Sequence, residues 1–268
     1  MSSILEQIVT DKRPEVEELK KGRDFERYME EASRAESPRD FRKALVRKEK
    51  ITLIAEMKKA SPSKGVFREE FEPREIALAY AKGGAAALSV LTEEKYFQGH
   101  PGYLKVVHET VKIPALRKDF IIDAFQVPES RLLGADAILL IASILTNSEM
   151  KRFIDLARSL NLAVLCEVHD ETEMRRVIDC GADLIGINNR DLKTFEVTLQ
   201  TTFDLVGLAP KKSVVVSESG IRCYADLEIL RDVGVSAVLV GETLIRQSDL
   251  SQAIRNLYNP SAPSPFRE

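Results

Sequence analysis

A (βα)8 TIM barrel, α/β in class and carrying an N-terminal helical extension, is the fold this sequence predicts, and three observations predict it. Short β-branched runs alternate with helical patterns at residues 51–57, 86–91, 113–118, 136–141, 162–167, 183–188, 213–218 and 236–240. Four strands share one punctuation: KGGAAALSV, LLGADAILL, DCGADLIGI and DVGVSAVLV each read as helix tail, glycine suited to a left-handed cap, then strand. Those glycines, Gly84, Gly134, Gly181 and Gly234, recur about every 50 residues, which is two strand-helix units per period and eight units in all. The third observation is where the charges fall.

Eight strands with intervening helices also fit an open doubly wound sheet. A closed barrel gathers its polar chemistry at the C-terminal strand ends, where inward positions converge. Here Glu56 and Lys58 end the first strand, Lys118 the third (IPALRK), Glu167 the fifth (LAVLCE) and Glu218 the seventh (SVVVSE). Glu56, Lys118, Glu167 and Glu218 each share the pleat parity of an apolar residue two before them, and Lys58 that of Glu56 and Ile54. Asn188 does the same for the sixth strand. That convergence favours the barrel.

Taken in order, residues 1–48 form the extension, because ILEQIV and DFRKALVRK interleave charged and apolar residues and predict one or two amphipathic helices. Residues 49–256 form the barrel, and 257–268, rich in proline and serine, a flexible tail. The first strand runs into Ala60-Ser61-Pro62-Ser63-Lys64-Gly65, a loop of hydroxyls, backbone donors and positive charge suited to an anion. The loops after the seventh and eighth strands, Ser219-Gly220-Ile221 and Gly241-Glu242-Thr243, read either as ordinary βα turns or as the phosphate cradle usual at this place in such barrels, and together they favour a phosphorylated substrate. Tyr96-Phe97 and Phe120 follow the second and third strands, as core or as a wall for a ring-bearing substrate.

Composition narrows the function. With 268 residues, 44% hydrophobic and 30% charged, and Lys+Arg 39 against Asp+Glu 42, a large core is available and no general attraction to nucleic acid exists. Any anion site is local. Cys166, Cys180 and Cys223 lack metal or disulfide spacing and read as reduced and packed. No apolar run of about 18 residues marks a membrane span or signal peptide, so the cytoplasm is the expected compartment. There is no dinucleotide fingerprint and no Walker loop, and His100, His108 and His169 lack ligand spacing, which makes them surface or structural residues with no metal to hold.

Three carboxylates and two ammonium groups in one mouth push their pKa values apart and supply separate acids and bases. A lysine there serves as proton donor, electrostatic clamp or Schiff-base nucleophile, and the residues alone leave all three open.

The motifs LIAEMKKASPSKG, SVLTEEKYFQG, ALRKDF, LCEVHD, IGINNRDL and VSESGI, in this order, resemble those of the indole-3-glycerol-phosphate synthases of tryptophan biosynthesis. The likeness runs from about residue 5 to 255. It implies a cofactor-free carboxy-lyase that converts 1-(2-carboxyphenylamino)-1-deoxyribulose 5-phosphate to indole-3-glycerol phosphate by ring closure, decarboxylation and dehydration. By the same resemblance, Lys118 assists ring closure at the substrate carbonyl, and Glu167 and Lys58 are the acid-base groups of dehydration. Glu56 and Glu218 hold the lysines and the substrate, and Asn188 orients Glu167 or the substrate. Ser219 helps bind substrate, Ser61, Arg190, Gly220 and Gly241 hold the phosphate, and Phe97 and Phe120 hold the carboxylated ring.

Glu242 stands where the family often has a small hydroxyl residue, so its backbone N–H is expected to face the phosphate and its side chain to turn away. The resemblance brings in a phosphorylated small-molecule substrate, no nucleic acid and no membrane, and leaves transient contact with other tryptophan-pathway enzymes open. Two rival readings remain: a Schiff-base aldolase or sugar-phosphate isomerase using Lys58 or Lys118 covalently, and a non-catalytic barrel that binds a phosphorylated metabolite.

Overall fold

The computed structural model describes residues 4–47, 50–192 and 194–262. Eight parallel strands close into a barrel in chain order: β1 (Thr52–Met57), β2 (Ala87–Leu91), β3 (Ala115–Lys118), β4 (Ala137–Ile141), β5 (Ala163–Val168), β6 (Leu184–Asn188), β7 (Val214–Glu218) and β8 (Ala237–Val240). Every strand expected from the sequence is present, and the closed order excludes the open sheet. The four glycines sit just beyond helix ends with φ between 88° and 99°, the left-handed conformation that the helix-to-strand turns require.

Strand parity divides the core in two. Leu53, Ala55, Leu88, Val90, Val164 and Val238 face outward and pack against the surrounding helices. Ile54, Leu116, Leu165 and Val216 face inward on the odd strands, with Leu139 and Leu239 from even strands. Inward residues of a barrel stack in layers of four drawn from alternate strands. The next odd-strand layer above those four aliphatic residues is Glu56, Lys118, Glu167 and Glu218, so the charges that end four separate strands meet on one level.

The extension folds as three helices, not one or two: α1 (Ile4–Lys20), α2 (Phe25–Ser33) and α3 (Phe41–Ala44). They reach both ends of the barrel. Ile4, Leu5 and Ile8 of α1 lean over the mouth, whereas Phe41 and Leu45, at and just after α3, are fully buried against Ile54, Ala87, Leu116 and Leu184 and plug the opposite end. The 48/49 boundary falls on Lys48 and Glu49, outside the described residues. At the other terminus Leu257 is buried and the Tyr258 hydroxyl donates to the Ile51 carbonyl at 3.0 Å, so the chain stays docked past the expected start of the tail. Residues 263–268 of that tail lie outside the described residues. Cys166 and Cys180 are buried and Cys223 half-buried, all as free thiols.

Candidate active site

The mouth encloses a cavity of about 370 Å³, and all thirteen site residues read from the sequence line it. At its floor, Lys118 Nζ bonds Glu167 Oε2 at 2.9 Å and Glu218 Oε2 at 2.7 Å. Lys58, one pleat above Glu56, reaches back to Glu56 Oε2 at 2.6 Å. Glu56, Glu167 and Glu218 are each at most 5% exposed. Carboxylates this dry need a cation or a proton.

Their environments differ. Burial alone would discharge Lys118, but Glu167, Glu218 and Glu56 outweigh it and hold its ammonium above the ordinary lysine range. Burial also opposes the charge on Glu167, yet Lys118 and His169 carry its pKa well below the usual carboxylate value. Glu218 goes the other way: burial, with the like charges of Glu167 and Glu56, pushes it up to about 7 despite Lys118. The coordination explains the split. Glu167 Oε1 receives Asn188 Nδ2 at 3.2 Å and faces His169 Nε2 at 3.4 Å, whereas Glu218 Oε1 is buried with no hydrogen-bond partner among the described residues.

Around this floor the walls take shape. Asn188 Oδ1 accepts from Ser219 Oγ at 2.9 Å and from the Arg190 backbone N–H at 3.1 Å, tying the β6 and β7 loops together. Arg190 donates from Nη1 to the Phe195 carbonyl at 3.2 Å and lines the rim. Gly241 closes the β8 side, and a Cβ there would overlap Glu56 Oε2, so this glycine makes room for the carboxylate as well as baring its own backbone. The Glu242 carboxylate is engaged by Lys64 Nζ, 2.9 Å from both oxygens, and by Arg246 at 3.2 Å, which hold it below the ordinary carboxylate value against the effect of burial. Phe97 and Phe120 face each other with ring centroids 6.1 Å apart and form the apolar wall.

Three features escaped the sequence reading. His169, expected at the surface or in a structural role, is 14% exposed and lies between Glu167 and Glu173. Gly186, inward on β6, leaves space for Glu218: a Cβ would overlap Glu218 Oε1. Behind Lys118, Asp119 joins Arg117 Nη2 at 3.0 Å, Thr92 Oγ1 at 2.6 Å and Lys12 of α1 at 3.2 Å, while its Oδ1 accepts the Phe120 N–H at 2.8 Å. This buried network fixes the strand end that carries Lys118 and Phe120. The signals were available: carboxylates flank His169 at −2 and +4, a glycine interrupts an inward strand position, and two more charges bracket Lys118 in RKD.

The family model for indole-3-glycerol phosphate synthase matches residues 5–257. The chain belongs to this family. An indole-3-glycerol phosphate synthase of Alkaliphilus metalliredigens is 45% identical over 254 residues, covering 95% of this chain and 97% of that protein. One of Chloroherpeton thalassium is 48% identical over 250 residues, 92% of this chain and 96% of that protein. Among solved structures, 3-hexulose-6-phosphate synthase from Salmonella typhimurium aligns over 78% of this chain and 97% of its own with a TM-score of 0.64. At 13% identity that likeness speaks for the barrel alone. The family assignment covers the barrel and most of the helical extension together.

Proposed function

We propose that the mouth closes, decarboxylates and dehydrates 1-(2-carboxyphenylamino)-1-deoxyribulose 5-phosphate to indole-3-glycerol phosphate, the carboxy-lyase step of tryptophan biosynthesis that gives the family its name. The observation that carries the reading is Lys118, a half-buried cation gripped by two buried carboxylates whose pKa values are shifted in opposite directions. Ring closure needs a fixed positive donor at the ribulose carbonyl as the aromatic carbon bearing the carboxyl attacks it. Lys118 fills that role. Loss of carbon dioxide restores the aromatic ring, and loss of the new hydroxyl as water, with a proton from the adjacent carbon, completes the indole. Glu167 and Lys58 serve that dehydration, Glu56 and Glu218 hold the lysines, and Asn188 orients Glu167. Phosphate sits at Ser61, Arg190, Gly220 and Gly241 with Ser219 beside it, and the ring lies against Phe97 and Phe120.

The test is the growth of indole fluorescence when the purified protein meets this substrate. Lys118→Ala should lower turnover of bound substrate roughly 100-fold or more. Turnover close to wild type would remove Lys118 from the mechanism. Borohydride trapping of an imine at Lys58 or Lys118 would move the assignment to an aldolase, and binding without turnover in the wild type would leave a binding barrel. A cytoplasmic location and transient docking to other tryptophan-pathway enzymes belong to the same proposal, tested by fractionation and by cross-linking in lysate.

A further inference from the structure

We propose that His169 is a positioning residue: gripped by Glu173, its ring presents a fixed positive charge to Glu167 Oε1 and holds that carboxylate, ionised and in one orientation, against Lys118. The inference rests on the reading of Glu167 as an acid-base group.

The geometry leaves the ring little freedom. His169 follows β5 by one residue, and Asp170 caps α4 (Glu171–Asp179) by accepting the Glu173 N–H at 2.8 Å. Glu173 does not return its side chain to the cap residue, as a capping box would. Its Oε2 instead takes both the His169 backbone N–H at 2.8 Å and the ring Nδ1 at 3.0 Å. A carboxylate oxygen accepts, so Nδ1 carries hydrogen and the opposite nitrogen, Nε2, faces Glu167 Oε1 at 3.4 Å. A neutral ring in this pose would aim a lone pair at a carboxylate. An imidazolium donates at Nδ1 to Glu173 and brings its second N–H, which makes no hydrogen bond among the described residues, within ion-pair range of Glu167.

Electrostatics agree with the geometry. Burial works against the charge, but Glu167 and Glu173 outweigh it and push the imidazole up to about 10. The charged groups around the ring are Glu173 from α4 and Glu167 from β5, then Lys118 from β3, with Glu218 of β7 and Glu56 of β1 beyond it. Glu167 thus has a cation on each oxygen, Lys118 on Oε2 and His169 on Oε1, with Asn188 sharing the latter. Rotation of the carboxyl group would break both contacts. Neutralising His169 removes one of the two charges that keep Glu167 ionised, so the pH at which Glu167 protonates must rise.

The experiment uses the full chain with the carboxyphenylamino-deoxyribulose phosphate and three variants. His169→Gln keeps a donor and loses the charge, His169→Lys restores a cation, and Glu167→Gln tests the underlying reading. His169→Gln should lower kcat by roughly 10-fold or more with KM changed less than about 2-fold, and should move the acidic limb of the kcat profile up by about one pH unit. His169→Lys should bring that limb back toward wild type. Nitrogen-detected NMR of the wild type, with His169→Gln as the assignment control, should show both ring nitrogens of His169 protonated at pH 8. A neutral His169 ring at that pH overturns the proposal, as does a folded His169→Gln with the wild-type kcat and pH profile. If that profile is unchanged while Glu167→Gln is inactive, His169 alone was misassigned. If Glu167→Gln turns over like wild type, the reading of Glu167 has failed and this inference falls with it.

Discussion

Gly186→Ala adds one methyl group to the interior of β6, and the structure says where it goes. The new Cβ would overlap Glu218 Oε1 and lie 3.3 Å from both Glu218 Cδ and Leu165 Cδ1. Packed heavy atoms prefer about 3.5–4 Å, so the carboxylate must move on the order of 1 Å. It cannot sink, because the layer below is filled by the fully buried Val216 and Leu165. It moves toward the mouth or rotates, and either motion takes Oε2 away from Lys118 Nζ, now 2.7 Å distant. A misplacement of about 1 Å in a catalytic constellation costs roughly 100-fold in rate. Overpacking a dry interior costs about 1–3 kcal/mol, or about 2–5 °C of Tm for a chain of this size. The assay pairs indole fluorescence with calorimetry: turnover down about 100-fold in a protein that still melts cooperatively. A folded Gly186→Ala enzyme within about 3-fold of wild type would refute the claim that this glycine exists to seat Glu218.

Three further outcomes follow from the same geometry. Arg190→Ala should raise KM about 10-fold or more with little loss of kcat, and unchanged affinity for substrate would reject its phosphate role. His169, whose pKa rises from 6.5 to about 10 on folding, contributes stability that is fully present below about pH 6.5 and lost as pH climbs through about 10. Wild type should therefore lose more Tm than His169→Gln across that interval, and parallel melting curves would contradict it. Glu218, raised to about 7, is part ionised at neutral pH, so binding a non-reacting reduced analogue of the substrate should take up a fraction of a proton. Calorimetry in buffers of different ionisation enthalpy reads this directly, and a buffer-independent heat at pH 7 would exclude it.

How much was legible depended on whether period or proximity carried the information. The strands were legible because their period is short and their caps repeat: β7 was expected from 213 and begins at Val214. The charged layer was legible because parity alone places Glu56, Lys118, Glu167 and Glu218 inward, and alternate strands share a layer. α1 and α3 lie in the two runs that read as amphipathic, ILEQIV and DFRKALVRK, whereas α2 lies in neither, and that Phe41 of α3 is the plug of the barrel appears only once the strands are placed. The role of His169 was not legible. Metal-ligand spacing was the wrong question for it, because its partners are carboxylates brought together by a strand end and the first turn of a helix. Gly186 and Gly241 act through the side chain they lack, so their reason appears only when the neighbouring carboxylates are placed.

The division between the two carboxylates on Lys118 explains why the site needs both. Glu167, with Lys118 and His169 on its two oxygens, is expensive to protonate, whereas Glu218 Oε1 faces no donor among the described residues and its pKa lies near neutrality. An anionic substrate adds negative charge to a layer that already holds Glu56, Glu167 and Glu218. Two like charges about 4 Å apart at an effective dielectric near 20 repel by about 4 kcal/mol. Protonating a group whose pKa is already about 7 costs almost nothing at neutral pH. The layer can therefore accept the substrate by moving a proton onto Glu218 while Glu167 keeps its charge, and when carbon dioxide departs with the substrate's carboxyl group, the reason for that proton departs as well. On this reading Glu218 adjusts the charge of the mouth to its contents, and Glu167, held from both sides, is the carboxylate whose state stays fixed until the chemistry calls on it.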